Sequence, residues 1–92
     1  MISSKLIERT PPQAIEAEMA VLGAMLIEKE AVLKVMEILN ADDFYKPEHR
    51  NLFLVIHDLF LNDKAVDAVT VSNELRRRRQ LEDIEGAAGG SA

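Results

Sequence analysis

Residues 13–27 read QAIEAEMAVLGAMLI, and directly before them stand Pro11 and Pro12. The two rings fix φ and restrict the residues that precede them, so no helix can run in from upstream. A helix must begin here. Within the stretch, Ile15, Met19, Leu22 and Leu26 recur at i, i+4, i+7 and i+11, the spacing of one helical face. No polar side chain occurs from Met19 to Ile27, which predicts that the second half of the helix is wrapped by neighbours. Ala17, Ala20, Gly23 and Ala24 form a small-residue strip. Another helix is expected to approach closely across it, because a mid-helix glycine left in solvent costs about 1 kcal/mol relative to alanine. The apolar run is too short for a bilayer and follows two glutamates, so the stretch reads as the central helix of a small bundle.

The rest of the chain repeats the helical period. After a polar break at residues 28–30, Val32, Val35, Met36 and Leu39 share a face and predict a second helix over 31–39. Asn40 is a plausible stop, and Asp42 is read as the N-cap of a short turn carrying Phe44 and Tyr45. Pro47 suits the first position of a third helix that runs to about Asn62. At about 100° per residue, His49, Leu52, Phe53, Ile56, Leu59 and Phe60 fall on its core side. Leu54 and Leu61, one heptad apart, fall nearly opposite, flanked by Arg50 and His57. Scattered exposed leucines are ordinary, but this pair also has the form of a narrow stripe on which a partner helix could lie. Residues 62–64 turn the chain and 65–69 extend it. Thr70 is read as the N-cap of a fourth helix carrying Val71 and Leu75, with a short apolar turn around Leu81 and Ile84 after it. The fold class is therefore all-α, with a flexible arm at 1–12, a helical bundle at 13–85 and a Gly/Ala-rich flexible tail at 86–92.

Composition removes several classes of function. A chain of 92 residues has room for one modest core. The net charge of −5, a single Tyr, three Phe and no Trp oppose a nucleic-acid footprint built on basic patches and stacking aromatics. Cysteine is absent, which excludes disulfides and thiolate metal sites, and no secretory segment opens the chain, so the cytoplasm is the expected compartment. Gly23 and Lys29 have the outer spacing of a phosphate loop. That motif needs a glycine before the lysine and a hydroxyl after it, where this chain places Glu28 and Glu30. Glu16 and Glu18 diverge by about 200° on a helix and cannot act as a paired acid and base. His49 and His57 lie about 12 Å apart along a helix, too far to share a metal. The run Arg76 to Arg79 could grip phosphates, yet on a helix these side chains fan out: Arg78 stays on the Val71/Leu75 side, while Arg76 and Arg77 face away. A solvated or subunit-contact role competes with nucleic-acid contact there. No catalytic, cofactor or metal residue is assigned.

Taken in order, PPQAIEAEMAVLGAML, ADDFYKPEHRNLF and AVDAVTVSNEL followed by QLEDIEG resemble the amino-terminal domain of the bacterial replicative DNA helicase, the DnaB family. The similarity covers residues from about 10 to 86. The family's E-A-E-x-x-V-L-G falls on Glu16 to Gly23, its D-F-Y on Asp43, Phe44 and Tyr45, and its H-R on His49 and Arg50. Glu18, Gly23, Asp43, Phe44, Tyr45 and His49 are assigned to structure, with His49 expected to close the third helix onto the D-F-Y turn.

The resemblance implies a compact orthogonal bundle of four to six helices that hydrolyses no ATP. In the family, ATP and magnesium belong to a separate ATPase domain. It also implies self-association, as dimers within a hexamer, and a platform on which primase docks through its own similarly folded carboxy-terminal domain. That primase domain and a small nucleic-acid-binding helical module are the alternative identities. The family pattern continues into an aromatic-led helical hairpin where this chain has Gly86, Ala87, Ala88 and Gly89, so truncation before the hairpin is expected. Leu54, Leu61, Arg76 and Arg77 are the candidate partner contacts. No membrane contact and no direct nucleic-acid binding are expected.

Overall fold

In the computed structural model, the backbone of residues 12–91 and the side chains of residues 14–82 are described. The arm expected upstream of Pro12 lies outside the described residues. Four helices follow one another: α1 (Pro12–Ile27), α2 (Lys29–Ile38), α3 (Pro47–Leu61) and α4 (Ala68–Ser91). A single 3-10 turn, Ala41–Asp43, separates α2 from α3. α1 and α2 pack on each other and on α3, and α3 carries α4 on its other flank.

One core joins all of them. Leu22 and Met25 enter it from α1, Val32 from α2, Phe44 from the turn, Phe53, Val55, Ile56 and Leu59 from α3, and Val71 from α4. The Phe44 and Phe53 rings meet at a centroid distance of 5.3 Å in a tilted arrangement. α3 is the hub because it buries two flanks. The sequence count placed Phe53, Ile56 and Leu59 inward, as found, but left out Val55, which α4 covers.

α1 is rotated from its expected setting. Leu22 lies in the core and Leu26 packs against it, as the spacing predicts, but Glu18 and Met25 take the inward places that the count gave to Met19. Met19 is 59% exposed and Ile27 83% exposed. The cause is Glu18, whose carboxylate turns inward to receive hydrogen bonds from α3 and the segment before it. Turning Glu18 in turns Met19 out. The strip of Ala17, Ala20, Gly23 and Ala24 consequently faces away from the bundle, and a Cβ built on Gly23 would meet nothing within 4 Å. The helix expected to pack there is not present among the described residues.

The element ends differ in instructive ways. The break before α2 is a single extended residue, Glu28, so the helix starts at Lys29. Asn40 caps the 3-10 turn in place of Asp42: its N–H donates to Asp43 Oδ2 at 2.7 Å. Pro47 takes the first turn of α3 as expected. At the far end, Asp63 adopts a left-handed φ of 58°, a conformation aspartate tolerates, and Asn62 Nδ2 donates to the Asp58 carbonyl at 2.7 Å. α4 begins two residues before the expected Thr70 cap. Asp67 caps it, accepting the Thr70 N–H at 2.8 Å. The same helix then runs on to Ser91, in place of a separate turn around Leu81 and Ile84 and a flexible segment beyond residue 86. No proline interrupts it, and its alanines offset part of the cost of its glycines.

Candidate functional site

The polar centre of the domain is the loop between the 3-10 turn and α3. Glu18, from α1, accepts the Tyr45 N–H and the Lys46 N–H, and its Oε1 lies 2.7 Å from His49 Nδ1. An ionised carboxylate only accepts, so the imidazole proton sits on Nδ1. From the other side, Arg50 Nε donates to the Phe44 carbonyl at 2.7 Å and its terminal nitrogen to the Tyr45 carbonyl at 3.1 Å. The loop's N–H groups thus close on Glu18 and its carbonyls on Arg50. This clamp fixes Phe44 in the core. Burial alone would raise the pKa of Glu18. The bonds from the Tyr45 N–H, the His49 ring and the Lys46 N–H outweigh it and hold the carboxyl below the ordinary glutamate value. Contrary to the expectation that His49 closes α3 onto the D-F-Y turn, its side chain meets Glu18 of α1, and it is that carboxylate which holds the Tyr45 and Lys46 N–H groups.

The outer side of α3 carries the expected leucines. Leu54 is 45% exposed and Leu61 63% exposed, separated by two helical turns. His57 stands between them, stacked obliquely on Phe53 with centroids 6.4 Å apart and 3.6 Å from the Asp58 carboxylate. On the α4 side, Leu54 forms one edge of an open groove of about 520 Å³ that also involves Glu48, Val55, Leu75, Arg79 and Glu82.

The arginine run is divided by its neighbours. Arg78 bridges the helices, donating to Asp58 Oδ2 at 2.9 Å and Glu74 Oε2 at 2.8 Å. Arg77 pairs with the same Glu74 at 2.6 Å. The hydrogen bonds of Arg77 and then Arg78 draw the Glu74 carboxyl down to about 2. Arg76 reaches only the Asn73 side chain, at 3.4 Å. The structure brings Leu54 together with Arg78 and Arg79, not with Arg76 and Arg77; Arg77 lies instead near Asp58, Leu59 and Asn62 at the end of α3. The helical count set Arg78 apart on the Val71/Leu75 side but did not show which acids hold Arg77 and Arg78. The acids Asp58 and Glu74, spaced to reach it, were the available signal.

Among the described residues, no group of three His, Asp or Glu side chains could hold a metal ion, and no helix is long and apolar enough to cross a membrane. The fold and its polar clusters define the class: a small all-α bundle in which polar contacts fasten helix to helix. A family model described as the DnaB-like helicase N terminal domain matches residues 10–89. The chain belongs to that family. It is 51% identical over 74 residues to the replicative DNA helicase DnaB of Rhodothermus marinus, covering 80% of this chain and 8% of that protein. It is 48% identical over 79 residues to the replicative DNA helicase DnaB of Mycobacterium leprae, covering 86% of this chain and 13% of the relative. The chain thus spans a small part of these relatives' length. The crystal structure of the N-terminal domain of DnaB helicase from Mycobacterium tuberculosis is similar in fold, with a TM-score of 0.72 and 47% identity, covering 82% of this chain and 52% of that one. Family membership favours the helicase domain over the similarly folded primase domain.

Proposed function

We propose that this chain is the non-catalytic amino-terminal head of a replicative, hexameric DNA helicase acting in the cytoplasm, where it associates with other subunits and recruits primase to the replication fork. The family match across residues 10–89 carries this reading, and relatives at about half identity are themselves replicative DNA helicases. ATP and magnesium belong to another domain of the parent protein, which supplies the motor. The head supplies surfaces. The α3 stripe of Leu54 and Leu61 is the docking place for the carboxy-terminal domain of primase, because these are large apolar side chains left outside a well-filled core. Arg77, tied to Glu74 near the Leu61 end of α3, borders the partner there, and Arg76 lies beyond it; both supply charge rather than anchorage.

Calorimetric titration with the primase carboxy-terminal domain, run beside single-stranded DNA as a control ligand, tests the reading. Saturable heat with primase and none with DNA is the expected result. Salt-sensitive DNA binding without a primase signal would transfer the function to the arginines of α4.

A further inference from the structure

α4 is attached differently from the other helices. α1, α2 and α3 each pack on the other two, whereas α4, among the described residues, packs closely on α3 alone. Val71 is its one fully buried side chain among those described, and Leu75 packs half-buried against the same core. One turn further on, an ion pair joins the two helices: Arg78 donates to Asp58 Oδ2 of α3 at 2.9 Å. Glu74 steadies Arg78 from within α4 at 2.8 Å and binds Arg77 as well. The connection to α3 is also slight. Its turn closes with the Lys64 N–H on the Leu59 carbonyl at 2.9 Å, with Asp63 at a left-handed φ of 58°. The backbone bonding of α4 starts at the Asp67 carbonyl, which accepts the Val71 N–H at 2.9 Å. Ala65 and Val66 lie between these two points, and of residues 61–69 all but Val66 are exposed.

We infer that α4 opens from the α1–α3 head as one unit, about a hinge at Ala65 and Val66, and that the Arg78–Asp58 pair is the latch that holds it closed. Opening bares Val55, Val71 and Leu75, so the closed form dominates. It leaves Leu22, Met25, Val32, Phe53 and Ile56 packed among α1, α2 and α3, so it costs less than unfolding the whole chain. A helix deprived of its packing face is marginal in water, and the amides of opened α4 therefore exchange with solvent. The latch suits reversible release. Its side chains are 35% and 47% exposed, so salt and competing charges reach it, and such a pair shifts the balance without locking it. The hinge and latch are independent of the proposed docking of primase, and their test needs no partner.

Native-state hydrogen exchange, followed residue by residue by NMR at urea concentrations below the unfolding transition, tests it on the chain itself. The amides of residues 71–82 are expected to share one opening step, faster than that of the slowest amides of α1 and α3 and less dependent on urea, because it exposes less surface. Gly23→Ala, which acts on unfolding of the head, should slow those head amides about twofold to fivefold and leave the α4 amides unchanged. Arg78→Gln and Asp58→Asn should each speed α4 exchange about fivefold, and the double variant no further, since both remove the same contact. Arg76→Gln, which spares the latch, should have no effect. α4 amides that match the head in rate and urea dependence, or that slow with it in Gly23→Ala, overturn the hinged unit. α4 exchange unchanged in Arg78→Gln and Asp58→Asn, or speeded additively in the double variant, overturns the latch.

Discussion

Glu18 Oε1 and His49 Nδ1 meet at 2.7 Å across 31 residues of sequence, each side chain nearly buried, and this contact fixes the rotation of α1 against α3. Three donors converge on the same carboxylate, so it does more than pair with a histidine. Losing it leaves the Tyr45 and Lys46 N–H groups and the His49 ring without their acceptor. Glu18→Ala is expected to cost about 2–3 kcal/mol, the range for charged hydrogen bonds lost at a largely buried site. In a double-mutant cycle, Glu18→Ala and His49→Ala should couple by about 1 kcal/mol or more, measured by urea unfolding.

The same contact sets a pH dependence. The folded-state pKa of Glu18 lies below its unfolded value, so its contribution is fully present above about pH 4.5 and is lost as pH falls through the folded value. The stability gap between wild type and Glu18→Gln is therefore expected to be constant from neutral pH to about pH 5 and to narrow in more acid solution. Unfolding curves at a series of pH values read this directly. A gap that widened on acidification would contradict the clamp.

Gly23→Ala gives the opposite sign. Gly23 has ordinary helical backbone, and the added methyl meets open space. The substitution should stabilise the chain by about 0.5–1 kcal/mol, chiefly by restricting the unfolded state. Thermal melting should rise by several degrees. A fall would mean that something does pack on the small-residue strip.

Asp67→Ala removes the cap of α4. The Thr70 backbone N–H, then the Thr70 hydroxyl, hold the Asp67 carboxyl below its ordinary value, so the side chain favours its charged, capping form. The variant is expected to melt a few degrees lower and to lose its sensitivity to acid at this helix end. Circular dichroism from about pH 2 to about pH 6 checks both effects.

How legible these features were depends on whether their cause was local. Pro47 fixes where α3 begins, and an angular count from it placed Leu54 and Leu61 outside and Phe53, Ile56 and Leu59 inside, as the structure has them. The rotation of α1 was hidden because it is set by backbone N–H groups 27 and 28 residues away, which carry no residue-type signal. Thr70 and Asp67 are both good caps, and sequence alone could not rank them; the chain chose the one that starts the helix earlier. Val55 needed knowledge of which flank α4 covers. Likewise, the angular count separated Arg78 from Arg76 and Arg77, but that Asp58 and Glu74 hold Arg77 and Arg78 depends on the packing of α4 on α3.

Recruitment through the outer face of α3 is the central claim, and Leu61 tests it best because it lies on the stripe and not in the groove. Leu61→Asp changes an exposed side chain, so its stability should stay within about 0.5 kcal/mol of the wild type. The decisive measurement is calorimetric titration of wild type and Leu61→Asp, side by side, with the primase carboxy-terminal domain. Saturable binding by the wild type is predicted, with affinity at least about tenfold weaker for the variant at equal melting temperature. Equal binding by both proteins, or silence from the wild type, would contradict it.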